Sequence, residues 1–143
     1  AQDIIGVSRN YTGVDQTTPL GSPATNSGTS TVASVTVISA TDELVIDTSG
    51  FDNDVDSTPG AGQTERYDVA DGVSIRGSDE AGAASVLMSH TLNGAANDFT
   101  SIGVSLKPVA GGAAAQQFMI FPVRIDGIGH GGIFPGNRVQ DKA

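Results

Sequence analysis

Apolar and polar residues alternate along much of this chain with a period of two. In "STVASVTVIS" (residues 30–39) Ala33, Val35 and Val37 fall on one face and Ser34 and Thr36 on the other. That is the pattern of a half-buried strand. "ASVLMSHTL" (84–92) repeats it, with Val86, Met88, His90 and Leu92 opposite Ser85, Leu87, Ser89 and Thr91. "FTSIGVSLKPV" (99–109) sets Ile102, Val104 and Leu106 against Ser101, Gly103 and Ser105, and Pro108 ends it. "DELVIDTSGF" (42–51) places Leu44 and Ile46 on one face. "TERYDVADGVSIRGSDEAGA" (64–83) reads as two short strands about Asp71-Gly72, a dipeptide suited to a tight hairpin turn.

The remaining stretches carry less pattern. "DIIGVSRNYTGV" (3–14) reads as a strand running into a turn. "DQTTPLGSPATNSGTS" (15–30) reads as a loop because of its two prolines, two glycines and many hydroxyls. "DNDVDSTPGAGQ" (52–63) reads as an acidic loop, and "NGAAND" (93–98) as a turn. No window has a helical period. Six or seven short antiparallel strands at this spacing predict an all-β fold, an antiparallel β-sandwich.

The end of the chain breaks the rule. After the small-residue run "AGGAAA" (110–115), "QFMIFPVRI" (117–125) is apolar on both faces: Phe118, Ile120 and Pro122 on one, Met119, Phe121, Val123 and Ile125 on the other. A strand of that kind must be covered on both sides. Pro122 keeps it off a central ladder, so the segment is an edge strand or an extended arm. "DGIGHGGIFPGNR" (126–138) holds five glycines and a proline and predicts a segment that wraps along a surface. The organisation expected is a sandwich over 1–109, an Ala/Gly linker over 110–115 and an apolar, Gly-rich arm over 116–143. The interface residues expected on that arm are Phe118, Met119, Ile120, Phe121, Val123, Ile125, Ile128, Ile133 and Phe134.

Composition agrees with many strands and turns. The 143 residues contain 19 glycines, no cysteine and no tryptophan. That length suits one domain with a real core. Without cysteine there is no disulfide or thiolate chemistry. The net charge of −9 is uneven. Residues 1–107 carry four basic and fourteen acidic groups, whereas residues 108–143 carry three basic and two acidic ones. An acidic body argues against nucleic acid as a partner, since phosphate contact needs a basic face. No run approaches the length of a membrane-spanning helix, so membrane insertion is not expected. No signal peptide is recognisable, and a first residue of Ala rather than Met points to processing or to a fragment.

Candidate chemistry is sparse. Asp52, Asp54 and Asp56 have the D-x-D-x-D spacing that offers hard oxygen ligands to calcium. The EF-hand pattern fails, with Ser57 at its sixth position and Gln63 at its twelfth, so a solvated acidic loop is the ordinary reading. No cofactor is expected beyond that weak calcium candidate. His90 and His130 are the only histidines, too few for a zinc site. His90 is expected to face the core, and no serine sits in a nucleophile turn. Asp68 with Glu65, Asp79 or Glu80 might form a hydrolytic carboxylate pair, but any acidic protein offers such pairs. The glycine runs lack the Lys-Ser/Thr of a phosphate loop. "NYT" (10–12) matches a glycosylation acceptor within a strand reading.

Four marks carry a family resemblance: Tyr11-Thr12-Gly13-Val14-Asp15, Gly62-Gln63-Thr64, Ser78-Asp79-Glu80, and the strand end Gly103-Val104-Ser105-Leu106-Lys107-Pro108. With them, residues 4–109 resemble a recurrent β-sandwich module of bacterial surface proteins and of structural proteins of tailed phages. That module commonly has a Trp where His90 stands, and several more strands before the segment that begins at Tyr11. The resemblance implies a jelly-roll-like sandwich of which this chain holds the C-terminal half to two-thirds, with the apolar tail as its cover. It further implies a structural or adhesive role and no enzymatic activity. The expected function is a structural subunit of a large virion assembly: capsid decoration, tail or fibre. Its partners would be copies of itself and other structural proteins. The alternative is an extracellular or cell-surface module that binds glycan or a partner protein.

Overall fold

The computed structural model describes residues 5–111, together with the backbone of residues 115–116 and 123–124. The described chain is all-β. Two strands of two residues come first, β1 (Ile5–Gly6) and β2 (Tyr11–Thr12). Eight body strands follow: β3 (Ala24–Ser30), β4 (Val32–Val37), β5 (Leu44–Phe51), β6 (Ser57–Pro59), β7 (Thr64–Asp71), β8 (Val73–Ala81), β9 (Val86–Leu92) and β10 (Asn97–Leu106). Two short pieces end it, β11 (Ala115–Gln116) and β12 (Val123–Arg124).

The body strands form two antiparallel sheets packed face to face. One has the order β3-β10-β5-β8-β7 and the other β4-β9-β6. The pairs β3·β10, β4·β9 and β5·β8 nest inside one another, as in a long hairpin folded over on itself. That wrap gives a sandwich its jelly-roll character. β7 leaves the nest and pairs with β8 through the hairpin at Asp71-Gly72, where Gly72 has φ 78°. Strands drawn from residues 24–106 supply both sheets.

The alternation in β4 and β9 is met. Ala33, Val35 and Val37 are buried, as are Val86, Met88, His90 and Leu92. They form the three-stranded sheet's half of two apolar clusters, one around Val37, Val45 and Met88, the other around Phe51, Leu92 and Phe99.

Two loop readings need correction: the acidic loop over 52–63 holds the three-residue β6, paired with β9. The segment read as a loop up to Ser30 holds β3, whose seven residues pair with β10 along their whole length. β3 is an edge strand exposed through most of its length, so its backbone ladder holds it and no apolar stripe is needed. For β10 the alternation left open which face meets the core, and it is the small face that points inward. Ser101, Gly103 and Ser105 are buried and Ile102 is 47% exposed. The cause is close approach of the two sheets. A Cβ on Gly103 would sit 2.5 Å from Val37 Cγ2 and 3.1 Å from Val35 Cγ1. The valines of β4 already fill the space that larger residues on β10 would need.

Candidate functional site

The most concentrated polar chemistry lies between the sheets. Asp47 shares its parity on β5 with Val45 and Phe51, so the pleat sends it inward with them. Its Oδ1 accepts from the Ser78 N–H at 2.7 Å and the Ser78 hydroxyl at 2.7 Å, and its Oδ2 lies 3.0 Å from His90 Nε2. Asp47, Ser78 and His90 are 2%, 0% and 0% exposed. Gln63 closes the arrangement from the loop before β7. Its amide donates to Ser78 Oγ at 2.5 Å, and its carbonyl accepts from the Ser89 N–H at 2.8 Å. Nearby, Ser49 and Ser101 share a hydrogen bond of 2.7 Å across β5 and β10. His90 Nδ1 has no hydrogen-bond partner among the described residues.

This constellation bolts one sheet to the other. The carboxylate stands in the middle, between serine and imidazole, and no imidazole nitrogen reaches a hydroxyl. A nucleophilic triad needs the imidazole between the two. The expectation that His90 faces the core is met; its carboxylate partner, Asp47, stands in the sequence only as an Asp between Ile46 and Thr48 of β5.

A second buried group ties down the acidic loop. Arg76, 1% exposed, pairs with Asp68 and donates to Val69 O at 3.1 Å and to Val55 O. Ser74 donates to Asn53 O at 2.7 Å and accepts from the Val55 N–H at 3.2 Å. Asp52, Asp54 and Asp56 are all exposed, and Asp56 accepts from Asn93 Nδ2 at 2.9 Å. Among the described residues no group of three or more His, Asp or Glu side chains comes together in a way that could hold a metal ion. Two of the carboxylates weighed for a hydrolytic pair, Asp68 and Asp79, have guanidinium partners. Asp68 meets Arg76, and Asp79 accepts from Arg66 Nε at 2.5 Å and Nη2 at 2.8 Å. That contact holds Arg66 more firmly protonated than a free arginine.

The outer face of the five-stranded sheet carries the N-terminal segment. Arg9 donates to Asp47 O at 2.6 Å and Ser78 O at 3.1 Å. Its guanidinium lies 5.0 Å from the Tyr67 ring centre and 6.0 Å from that of Tyr11. Tyr67 lies across Gly77, which has no side chain to obstruct it, and its hydroxyl meets Thr48 Oγ1 at 2.6 Å. Burial, the largest cause, raises the pKa of both tyrosines above the ordinary value.

The C-terminal arm meets this segment. β11 pairs antiparallel with β2, Ala115 opposite Thr12 and Gln116 opposite Tyr11. β12 pairs antiparallel with β1, Val123 opposite Gly6 and Arg124 opposite Ile5. Phe118, Met119, Ile120, Phe121, Ile125, Ile128, Ile133 and Phe134 lie outside the described residues, as does His130; of Val123 only the backbone is described. Beside β1 the outer face opens into a groove of about 510 Å³, with Gly50 in its floor and Ile5, Val73 and Ile75 in its walls. Comparison with protein families, with curated proteins and with solved structures finds no match to this chain.

Proposed function

We propose that this chain is a structural subunit of a large assembly, of the kind that builds tailed-phage virions, and that its C-terminal arm joins it to its neighbours. The observation that carries the reading is how the arm is held. Its two described pieces touch the body through two-residue backbone pairings to the N-terminal segment. Backbone pairings of that sort are independent of which copy supplies the strand, so a neighbouring chain can offer the same edge. The Ala/Gly run that precedes β11 supplies the slack for such an exchange, and the apolar residues of the arm supply the driving force.

The body supports a scaffold role. Its polar cluster is sealed between the sheets, out of reach of a substrate. A surface module that binds glycan by stacking sugars on exposed rings draws less support. Among the described residues, Phe51, Tyr67 and Phe99 are buried and Tyr11 is half-buried. The test is light scattering on the intact chain and on a chain lacking residues 116–143. The intact chain is expected to form multimers that the shortened one cannot. A shortened chain that folds and assembles like its parent overturns the reading.

A further inference from the structure

We propose that Asn93 is a site of spontaneous, one-way modification. Its side-chain amide leaves as ammonia after attack by the Gly94 nitrogen, and the carboxylate that results releases the acidic loop that Asn93 holds.

Asn93 and Gly94 lie in the bend between β9 and β10, where the chain passes from one sheet to the other, and both are exposed. An Asn-Gly pair between two strands ordinarily serves a tight turn that needs positive φ at both residues. Here neither residue has positive φ. Crowding gives no reason for the glycine either, since a Cβ on Gly94 would meet nothing within 4 Å. What the pair does supply is reactivity. With no Cβ beside it, a glycine nitrogen is the least hindered backbone nucleophile toward the side-chain carbonyl of a preceding asparagine. Of the six asparagines in the chain, Asn93 alone precedes a glycine. The Gly94 N–H makes no hydrogen bond among the described residues, so the attacking nitrogen is not tied up.

The reaction balances with water as its one co-reactant. The Gly94 nitrogen loses its proton to solvent and bonds to Asn93 Cγ. The Cγ–Nδ2 bond breaks, and Nδ2 takes up a proton and departs as ammonia, leaving a cyclic imide. Water then opens the imide at either carbonyl. One opening gives an aspartate on the ordinary backbone. The other gives an isoaspartate, whose main chain runs through the side-chain carbon and is one carbon longer.

Asn93 is also a tie. Its N–H donates to Asp56 O at 2.9 Å, and its Nδ2 donates to Asp56 Oδ2 at 2.9 Å. A carboxylate only accepts, so the second bond depends on the amide nitrogen. While it stands, it holds the side chain toward Asp56 rather than free to fold back on Gly94, and Asp56 acts as a brake. Once ammonia has left, two carboxylates face each other with no donor between them, and like charges repel. Asp56 directly precedes β6, the edge strand of the smaller sheet, so the freed piece is the entry to β6. The rest of the loop stays tied by Ser74 and Arg76 to Asn53 and Val55, which keeps the change local.

The test is peptide mapping by mass spectrometry on the folded chain stored in neutral buffer, with isoaspartate read by enzymatic methylation. Asn93 is expected to lose its amide ahead of the other five asparagines. Gly94→Ala, for which the bend has room, is expected to melt like the parent and to slow the loss several-fold. Asp56→Ala is expected to speed it several-fold. Asn93→Asp reproduces one product and is expected to raise hydrogen exchange at residues 56–58 several-fold while β5 and β10 stay level. An amide that survives in the folded chain but is lost from the chain in urea overturns the site. So does a Gly94→Ala variant that reacts at the parental rate. Equal rates in Asp56→Ala and the parent overturn the brake, and unchanged exchange in Asn93→Asp overturns the release.

Discussion

The two faces of the five-stranded sheet are built from the same strands and solve opposite problems. The inner face meets a second sheet whose valines press close. Beside the apolar Val45, Phe51 and Phe99 it carries small or polar residues, Ser49, Ser101, Gly103 and Ser105, with Asp47 and Ser78 joined to His90 across the gap. The outer face meets the N-terminal segment. It carries the larger Ile46, Ile75, Ile102 and Tyr67; the Tyr67 ring lies across Gly77, and among the described residues nothing fills the space at Gly50. The inner face is fixed by hydrogen bonds that have no alternative partner. The outer face is covered in part by the N-terminal segment, which Arg9 ties to two backbone carbonyls. Burial cost explains the difference, because a polar group shut away from water must be satisfied on the spot, whereas an apolar surface only needs some cover.

The largest test of that contrast is Asp47→Ala. It leaves the Ser78 N–H and His90 Nε2 without their partner between the sheets, and a loss of about 3 kcal/mol is expected from the buried groups left unsatisfied. Urea unfolding measures it. A midpoint unchanged from the parent would place the inner network on a level with the outer cover. Next is Gly103→Ala, expected to cost about 1–3 kcal/mol by overpacking against Val37. Combined with Val37→Ala it should lose less than the two single changes together, and additive losses would mean that the sheets do not press there.

On the outer face the effects should be smaller and local. Arg9→Ala removes donors to two carbonyls and the ring contact, about 1–2 kcal/mol. Hydrogen exchange should rise at residues 5–12 and stay level in β4 and β9; a rise throughout would show that the cover is part of the core. Tyr67→Phe should cost about 1 kcal/mol through the lost Thr48 bond. Burial raises the Tyr67 pKa, so the folded state favours the neutral phenol. That contribution is complete below the unfolded tyrosine value of about 10 and fades as pH rises through the folded value. Tyr67→Phe should therefore flatten the alkaline limb of a stability profile. The smallest effect is on the acid side. The Thr18 and Thr17 N–H groups lower the pKa of Asp15, giving a contribution present above the unfolded aspartate value and lost as pH falls through the folded one. Asp15→Asn should remove that acid-side slope, as read by NMR titration and melting.

β4 and β9 of the smaller sheet were readable from the sequence because one of their faces is apolar and the other mostly wet, which is what alternation encodes, whereas three-residue β6 lay within a stretch read as a loop. The larger sheet was harder. Both of its faces carry apolar residues, so parity alone does not say which set meets the other sheet, and the isoleucines of β5 and β10 turned outward. β3 was hidden altogether, since an exposed edge strand is held by a ladder that composition does not report. Of the polar cluster, His90 was visible through the parity of β9, and Asp47 signalled itself only as a carboxylate in line with Val45 and Phe51. Arg9, Gln63 and Arg76 act on backbone carbonyls and amides far along the chain, and no local pattern announces a bond of that kind.

The nested pairing also dictates a schedule. β3 leaves the ribosome early, yet its hydrogen-bond partner, β10, is the last body strand to be made. Only the β7–β8 hairpin can close at once. β5, then β4, then β3 join as β8, β9 and β10 arrive, so the ribbon zips from its bend toward its ends. Until β10 arrives, β3 waits as an unpaired strand. A waiting edge invites pairing with another nascent chain. The Ser, Thr, Asn and Gly that make up most of β3 keep that wait from becoming aggregation, which gives its lack of apolar pattern a use during synthesis as well as in the finished fold.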